Sequence, residues 1–240
     1  DAVNYCATFI SEYSQGVTGY FGMSIKPSTG QASYTMRVDV SNVDSTLAAT
    51  CRFDAGLSYH IHSYWNNNPQ KSGNLTTCGA SYTGGHYDPN FACGGASQYA
   101  SDIVTGTTSY CSAIKRTSSD GYTYPCNTTN FESSGRFSVC EVGDLSGKFG
   151  SVTPNNNIIQ ASPVHLMDPL APYTVNLGSA DTTSTQWNSV VFHCSNGTRL
   201  FCAKLEVDTG VTSQCFKGGA YVFDTETNDA ETLKYTQQEM

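Results

Sequence analysis

No long window of this 240-residue chain repeats an apolar side chain every 3.6 positions, the spacing that an amphipathic helix needs. Gly, Ser, Thr, Asn and Tyr are plentiful and charged residues make up only 13% of the chain, a balance that favours strands and turns. The sequence therefore predicts an all-β protein. Val17–Ile25 and Ala32–Val40 read as an opening hairpin, with Pro27-Ser28-Thr29-Gly30 as its tight turn. Regular patterning returns at Arg136–Val142, Ser189–Cys194 and Thr198–Val207. Between these lie two polar stretches, 66–135 and one carrying Pro154, Pro163, Pro169 and Pro172 that runs to about Gln186. Long loops of this kind build sites or need staples. A chain of this length can bury a core as one domain, and no repeat or linker marks a second.

Ten cysteines are dispersed along the chain and none forms a Cys-x-x-Cys pair, which argues against a thiolate zinc site. An even, scattered set in a polar chain predicts disulfides and an oxidising compartment. Cys6–Cys51 is one expected pair. Acceptor sequons for N-glycosylation begin at Asn74, Asn127 and Asn196. No membrane-spanning run and no signal peptide is present, so the expectation is a mature secreted chain whose targeting segments have been removed. The net charge of −8 argues against nucleic acid and anionic membranes as partners. It would also repel an anionic substrate unless local cations override the average.

The chain has five histidines, two of them in Tyr59-His60-Ile61-His62-Ser63-Tyr64-Trp65. On a strand, residues two apart share a face, so His60 and His62 point one way while Ile61 turns into the core. Imidazole is the commonest side-chain metal ligand and suits copper and zinc. A third, His86, follows two glycines in Gly84-Gly85-His86-Tyr87-Asp88-Pro89. A fourth, His193, alternates with Phe192 in Val190-Val191-Phe192-His193-Cys194. Taken singly, each also reads as an incidental histidine in a turn or at a strand edge.

The order of these blocks, with Val142-Gly143-Asp144-Leu145 and Gly197-Thr198-Arg199-Leu200-Phe201-Cys202, resembles that of the copper/zinc superoxide dismutases over residues 17–206. The resemblance implies a Greek-key β-barrel or sandwich of about eight strands with long disulfide-stapled loops. It assigns residues 1–206 to that domain and 207–240 to a C-terminal extension, packed on it or partly mobile. By the same resemblance His60, His62, His86 and His193 ligate copper, Arg199 guides the anion, and Cys78 pairs with Cys202. The implied reaction converts superoxide to dioxygen and hydrogen peroxide as copper alternates between Cu(II) and Cu(I), with His86 detaching from Cu(I) and taking a proton.

Departures from the two-metal pattern narrow the resemblance. Only Asp144 and the bridging candidate His86 remain of the zinc ligands, Glu141 stands near one zinc-ligand histidine position, and His165 is out of order. Only five residues separate His193 from Arg199, so the family's long charged loop is missing. Both losses resemble the copper-only branch of secreted fungal and oomycete enzymes, whose Glu-Val-Gly-Asp-Leu-Ser-Gly motif is similar to Glu141–Gly147. One copper ion and no zinc are therefore expected. Without zinc the far nitrogen of His86 needs another orienting partner, for which Glu141 and Asp144 are the candidates. The alternative for Glu141 is a surface carboxylate at a strand end. The alternative for the whole chain is a secreted copper-binding or interaction module that lost turnover. The Ser195-Asn196-Gly197 turn is expected as a three-residue loop with Gly197 left-handed, which puts His193 opposite Arg199; a two-residue loop would turn His193 to the other face.

Overall fold

The computed structural model describes residues 2–26, 28, 31–66, 69–100, 109–133, 139–167, 188–208 and 215. In chain order the strands are β1 (Val3–Phe9), β2 (Thr18–Lys26), β3 (Gln31–Asp39), β4 (Ser58–His62), β5 (Ser72–Gly73), β6 (Ile158–Met167), β7 (Ser189–His193), β8 (Arg199–Lys204) and β9 (Glu206–Val207). They form two antiparallel sheets, one ordered β6-β3-β2-β1-β9 and the other β4-β7-β8-β5. Among the described residues five short α-helices interrupt the connections: α1 (Ser45–Cys51), α2 (Ala80–Thr83), α3 (Tyr110–Ala113), α4 (Thr128–Ser133) and α5 (Leu145–Phe149). Among the described residues no helix is long and apolar enough to cross a membrane.

Period-two alternation explains the core. Tyr5, Ala7 and Phe9 of β1 and Tyr59 and Ile61 of β4 join Val190 and Phe192 of β7 in one buried cluster between the sheets. Phe192 stacks on Phe201 with ring centroids 4.7 Å apart and meets Phe9 edge-on at 5.6 Å. The opposite face of the four-stranded sheet is buried as well. There Val191 packs with Trp65, Cys78 and Cys202, beside the side chains of His60, His62 and His193. The long connections cover that face, which is why β7 reads as a nearly continuous apolar run.

Several elements differ from the sequence reading. The β2–β3 hairpin is present, with Ile25 opposite Ala32, although most of its turn lies outside the described residues. It is not the opening element, because β1 precedes it. The proline-containing stretch holds β6, which pairs with β3 at the sheet edge. Register slips there between Tyr34–Val164 and Met36–Ala161, so Pro163 falls in an irregularity on an edge strand, where a missing N–H costs least. Val139–Val142 is a turn and not a strand; residues 136–138 lie outside the described residues. That turn is drawn tight by the Cys126–Cys140 disulfide and by Asp144 N–H donating to the Glu141 carbonyl.

The Cys6–Cys51 expectation is overturned. Cys6 bonds Cys215 and Cys51 bonds Cys194. Helix α1 carries Cys51 to the end of β7, where Ser195 N–H donates to its carbonyl, while Cys6 faces away from the core and is met by the chain's C-terminal part. Cys78–Cys202 and Cys93–Cys111 complete five bridges, and no cysteine is free. The acidic stretch after Cys215 lies outside the described residues.

Candidate metal centre

Strand β4 supplies His60 and His62 to the outer face of its sheet. The loop bearing His86 lies along β4 almost as a further strand: Ser63 N–H donates to the Gly85 carbonyl, Tyr87 N–H to Ile61, and His62 faces His86 across an antiparallel bridge. Asp88 pins that loop, its buried carboxylate accepting from Ala92 N–H, Cys93 N–H and Ser97 Oγ. His193 ends β7. The following loop has three residues, with Gly197 at φ +84°, Cys194 N–H donating to the Thr198 carbonyl, and His193 opposite Arg199.

The four rings converge so that one nitrogen of each lies within 4.8 Å of the others. His60 stacks on His86 with centroids 4.0 Å apart and His62 on His193 at 5.3 Å. Which nitrogen each ring presents follows from the other's partner. Carbonyls only accept, so His62 Nδ1–H donates to Gly84 O at 3.0 Å and His193 Nδ1–H to Gly197 O at 3.0 Å. His86 Nδ1 lies 2.7 Å from Glu141 Oε2. These three rings present Nε2. His62 Nε2 and His193 Nε2 face one another at 3.2 Å with no proton left between them, the separation that two ligands about 2.0–2.1 Å from one ion can have. His60 is reversed: its Nε2 lies 3.5 Å from Asp144 Oδ1, while its Nδ1 is buried with no hydrogen-bond partner. Unpaired electron pairs turned to one point fit a cation.

Burial holds the His60 and His62 imidazoles well below their usual range, with the neighbouring His86 charge adding to it. His193 is lowered to about 3, again chiefly by burial. His60, His62 and His193 are thus neutral donors near pH 7. A second grouping, Asp88 with Cys93 and Cys111, is closed to metals because both sulfurs are bonded to each other.

Glu141 is fully buried, not a surface carboxylate, and burial raises its pKa against the opposing pull of His86. Of the two acids expected beside His86, Glu141 touches it, whereas Asp144 is drawn to His60 because it caps α5. Asp144 accepts from Gly147 N–H at 2.7 Å and from Tyr124 OH at 2.9 Å. Arg199 rests on the 78–84 segment: Nη1 donates to Cys78 O at 3.2 Å and Thr83 Oγ1 at 2.6 Å, and Nη2 to Gly84 O at 2.7 Å. Burial lowers its pKa to about 10, which leaves it cationic at neutral pH. The Cys78–Cys202 bond ties that segment to β8.

His165 lies on β6 opposite Ser33, in the other sheet from the four histidines. Asn127 and Asn196 are exposed, while Asn74 is partly buried with Oδ1 accepting from Thr76 N–H. Sequence reasoning missed Thr83 and Tyr124. Thr83 had a signal in its place just before Gly84-Gly85-His86. Tyr124 had none, because its nearness to Glu141 depends on the Cys126–Cys140 pairing.

A two-sheet antiparallel sandwich with four imidazoles converging on the outer face of one sheet defines a candidate histidine-ligated metal protein. No family model and no curated protein matches the sequence. Among solved structures, a single-residue variant of Candida albicans superoxide dismutase 5 aligns over 90% of this chain and 96% of that one, at 17% identity and TM-score 0.47. The Cu(II) form of the same Candida albicans protein aligns over 90% of this chain and 99% of that one, at 17% identity and TM-score 0.43.

Proposed function

We propose that the chain is an extracellular copper-only superoxide dismutase that binds one copper ion and no zinc. The observation that carries this is the convergence of three Nε2 atoms and the orphaned Nδ1 of His60 on one buried point. Copper held there would supply the one-electron exchange, taking an electron from one superoxide and giving it to a second. The net reaction consumes two superoxide anions and two protons and yields dioxygen and hydrogen peroxide. His60, His62, His86 and His193 would hold the ion. His86 would carry a proton at Nε2 between half-reactions, its ring kept in place by Glu141 at Nδ1. Zinc is not needed to orient that ring, since Glu141 occupies the far nitrogen. Arg199 lies close enough for its charge to depress His60, His62 and His193, which supports a role in drawing in the anion.

Residues 1–206 would form the functional domain and 207–240 an extension tethered through Cys6–Cys215. Five disulfides are compatible with secretion, and the exposed Asn127 and Asn196, with Asn74, are the glycan candidates.

One observation favours the non-catalytic copper-binding module: three of the five guanidinium donors of Arg199 are held by the 78–84 segment. Copper loading of the purified chain, with superoxide removal assayed with and without a chelator, separates the readings. Turnover abolished by chelation supports the enzyme, copper without turnover supports the module, and a chain that retains only zinc overturns both. Within the enzyme reading, Glu141→Gln keeps copper occupancy and slows Cu(I) reoxidation by about 10–100-fold, as loss of a ligand's orienting partner does. Stopped-flow reoxidation with parallel metal analysis checks it.

A further inference from the structure

Tyr124 lies in the long polar insert, outside every block that drew attention to the metal centre. Its hydroxyl makes two hydrogen bonds. It accepts from Glu141 N–H at 2.9 Å and donates to Asp144 Oδ2 at 2.9 Å. A phenol has a single proton, and the N–H can only donate, so that proton points at Asp144. Accepting the one bond strengthens the other. The phenol itself stays protonated, its pKa pushed far up by burial and then by the two carboxylates.

Each acid serves a different imidazole. The Glu141 carboxylate lies against His86 Nδ1 and that of Asp144 beside His60 Nε2, and these are the two rings stacked at 4.0 Å. Asp144 N–H donates back to the Glu141 carbonyl, so the hydroxyl closes the 141–144 turn from outside. The packing allows no slack. A Cβ at Gly94 would lie 2.5 Å from Glu141 Oε1 and 3.1 Å from Tyr124 Cε1. The Cys126–Cys140 disulfide fastens the tyrosine's segment to the same turn. A tyrosine that served only as a packing staple would have no reason to join the partners of two separate ligands.

We infer that Tyr124 is a positioning residue that sets the orientation of His86 and His60 together, through Glu141 and Asp144. This rests on the copper reading for its consequence in turnover, but its geometry does not need the metal. Without the hydroxyl, Glu141 N–H loses its acceptor and Asp144 Oδ2 its donor. The 141–144 turn that aims the Glu141 carboxylate at His86 and Asp144 at His60 then loses the bond that closes it.

The metal-free protein supplies the first test. The His86 Nδ1–H proton held by Glu141 gives a low-field proton resonance, which Tyr124→Phe shifts or broadens. Tyr122→Phe is the control. It removes a neighbouring hydroxyl bond, to Ala92 O, and leaves that resonance in place. In the copper-loaded protein Tyr124→Phe keeps copper occupancy, changes the Cu(II) hyperfine pattern in electron paramagnetic resonance, and slows reoxidation by about tenfold, the low end for such partners. In the double variant with Glu141→Gln the slowing is less than the product of the two single effects, because part of the effect of Tyr124 runs through Glu141 and the rest through Asp144. An unshifted resonance with an unchanged Cu(II) spectrum, or fully additive slowing in the double variant, overturns the inference. Should Tyr124→Phe not fold, difluorotyrosine at 124 weakens the acceptor while keeping the shape, and an unmoved His86 resonance there sinks the idea equally. A wild-type protein that shows the resonance yet binds no copper refutes the functional reading and leaves the positioning role standing.

Discussion

His62→Ala is expected to take superoxide removal to background and to weaken copper binding by well over 100-fold. Losing a hydrogen-bonding partner of a ligand costs about 10–100-fold in affinity or activity, and this change removes a proposed ligand outright. His62 is 0% exposed, and its Nε2 faces His193 Nε2 at 3.2 Å. Its backbone is locked between β7 and the His86 loop. Binding to the folded state alone raises stability by about 2.7 kcal/mol at a ligand concentration 100 times Kd. Thermal unfolding with and without copper therefore reads the change directly: wild type gains, His62→Ala does not. His165→Ala, on the far sheet, should behave as wild type in both measurements. A copper-dependent gain that survives His62→Ala would move the metal elsewhere.

What could be read from the sequence was what local geometry controls. The His-x-His alternation of β4 needs only the two-residue strand period. The Ser195–Gly197 loop follows from glycine's tolerance of positive φ. What could not be read depends on distant partners. Strand β6 hides behind Pro163, which argues against a strand until the edge position and register slip are known. The sequence reading contains no strand at 3–9, although Tyr5, Ala7 and Phe9 alternate inward and the pairing with β2 runs over the whole of β1. Arg136–Val142 reads as a strand from its regular patterning, but Val142 and Cys140 are buried by a disulfide-bound turn that puts Glu141 inside. Cysteine connectivity has no local signature at all, and Cys6 and Cys51 each found a partner more than 140 positions away. Tyr124 inherits that blindness, because the Cys126–Cys140 bond is what brings it to Glu141.

Replacing Cys78 and Cys202 together by alanine should both destabilise the fold and impair anion capture. The bridge spans 124 residues, and in the chain-entropy account a bond of that reach contributes about 4–5 kcal/mol, with about 2–5 kcal/mol lost in practice. For a chain of this size that is a fall in Tm of roughly 4–20 °C. The Cys93–Cys111 bridge spans only 18 residues, for which the same account allows about 3 kcal/mol, so its removal should cost less. The two also differ in what they hold. Cys78 offers its carbonyl to Arg199 Nη1, and the segment it anchors supplies the Thr83 and Gly84 oxygens that fix the rest of the guanidinium. Freeing that segment lets the cation wander from the histidines. Copper content should hold while turnover and its sensitivity to salt both drop, since exposed charges act only over a Debye length of about 8 Å. Loss of Cys93–Cys111 should leave the salt dependence as it was. If the short bridge proves the costlier to remove, or if the long one goes without any change in salt dependence, then Arg199 is held by packing and the disulfide is not its anchor.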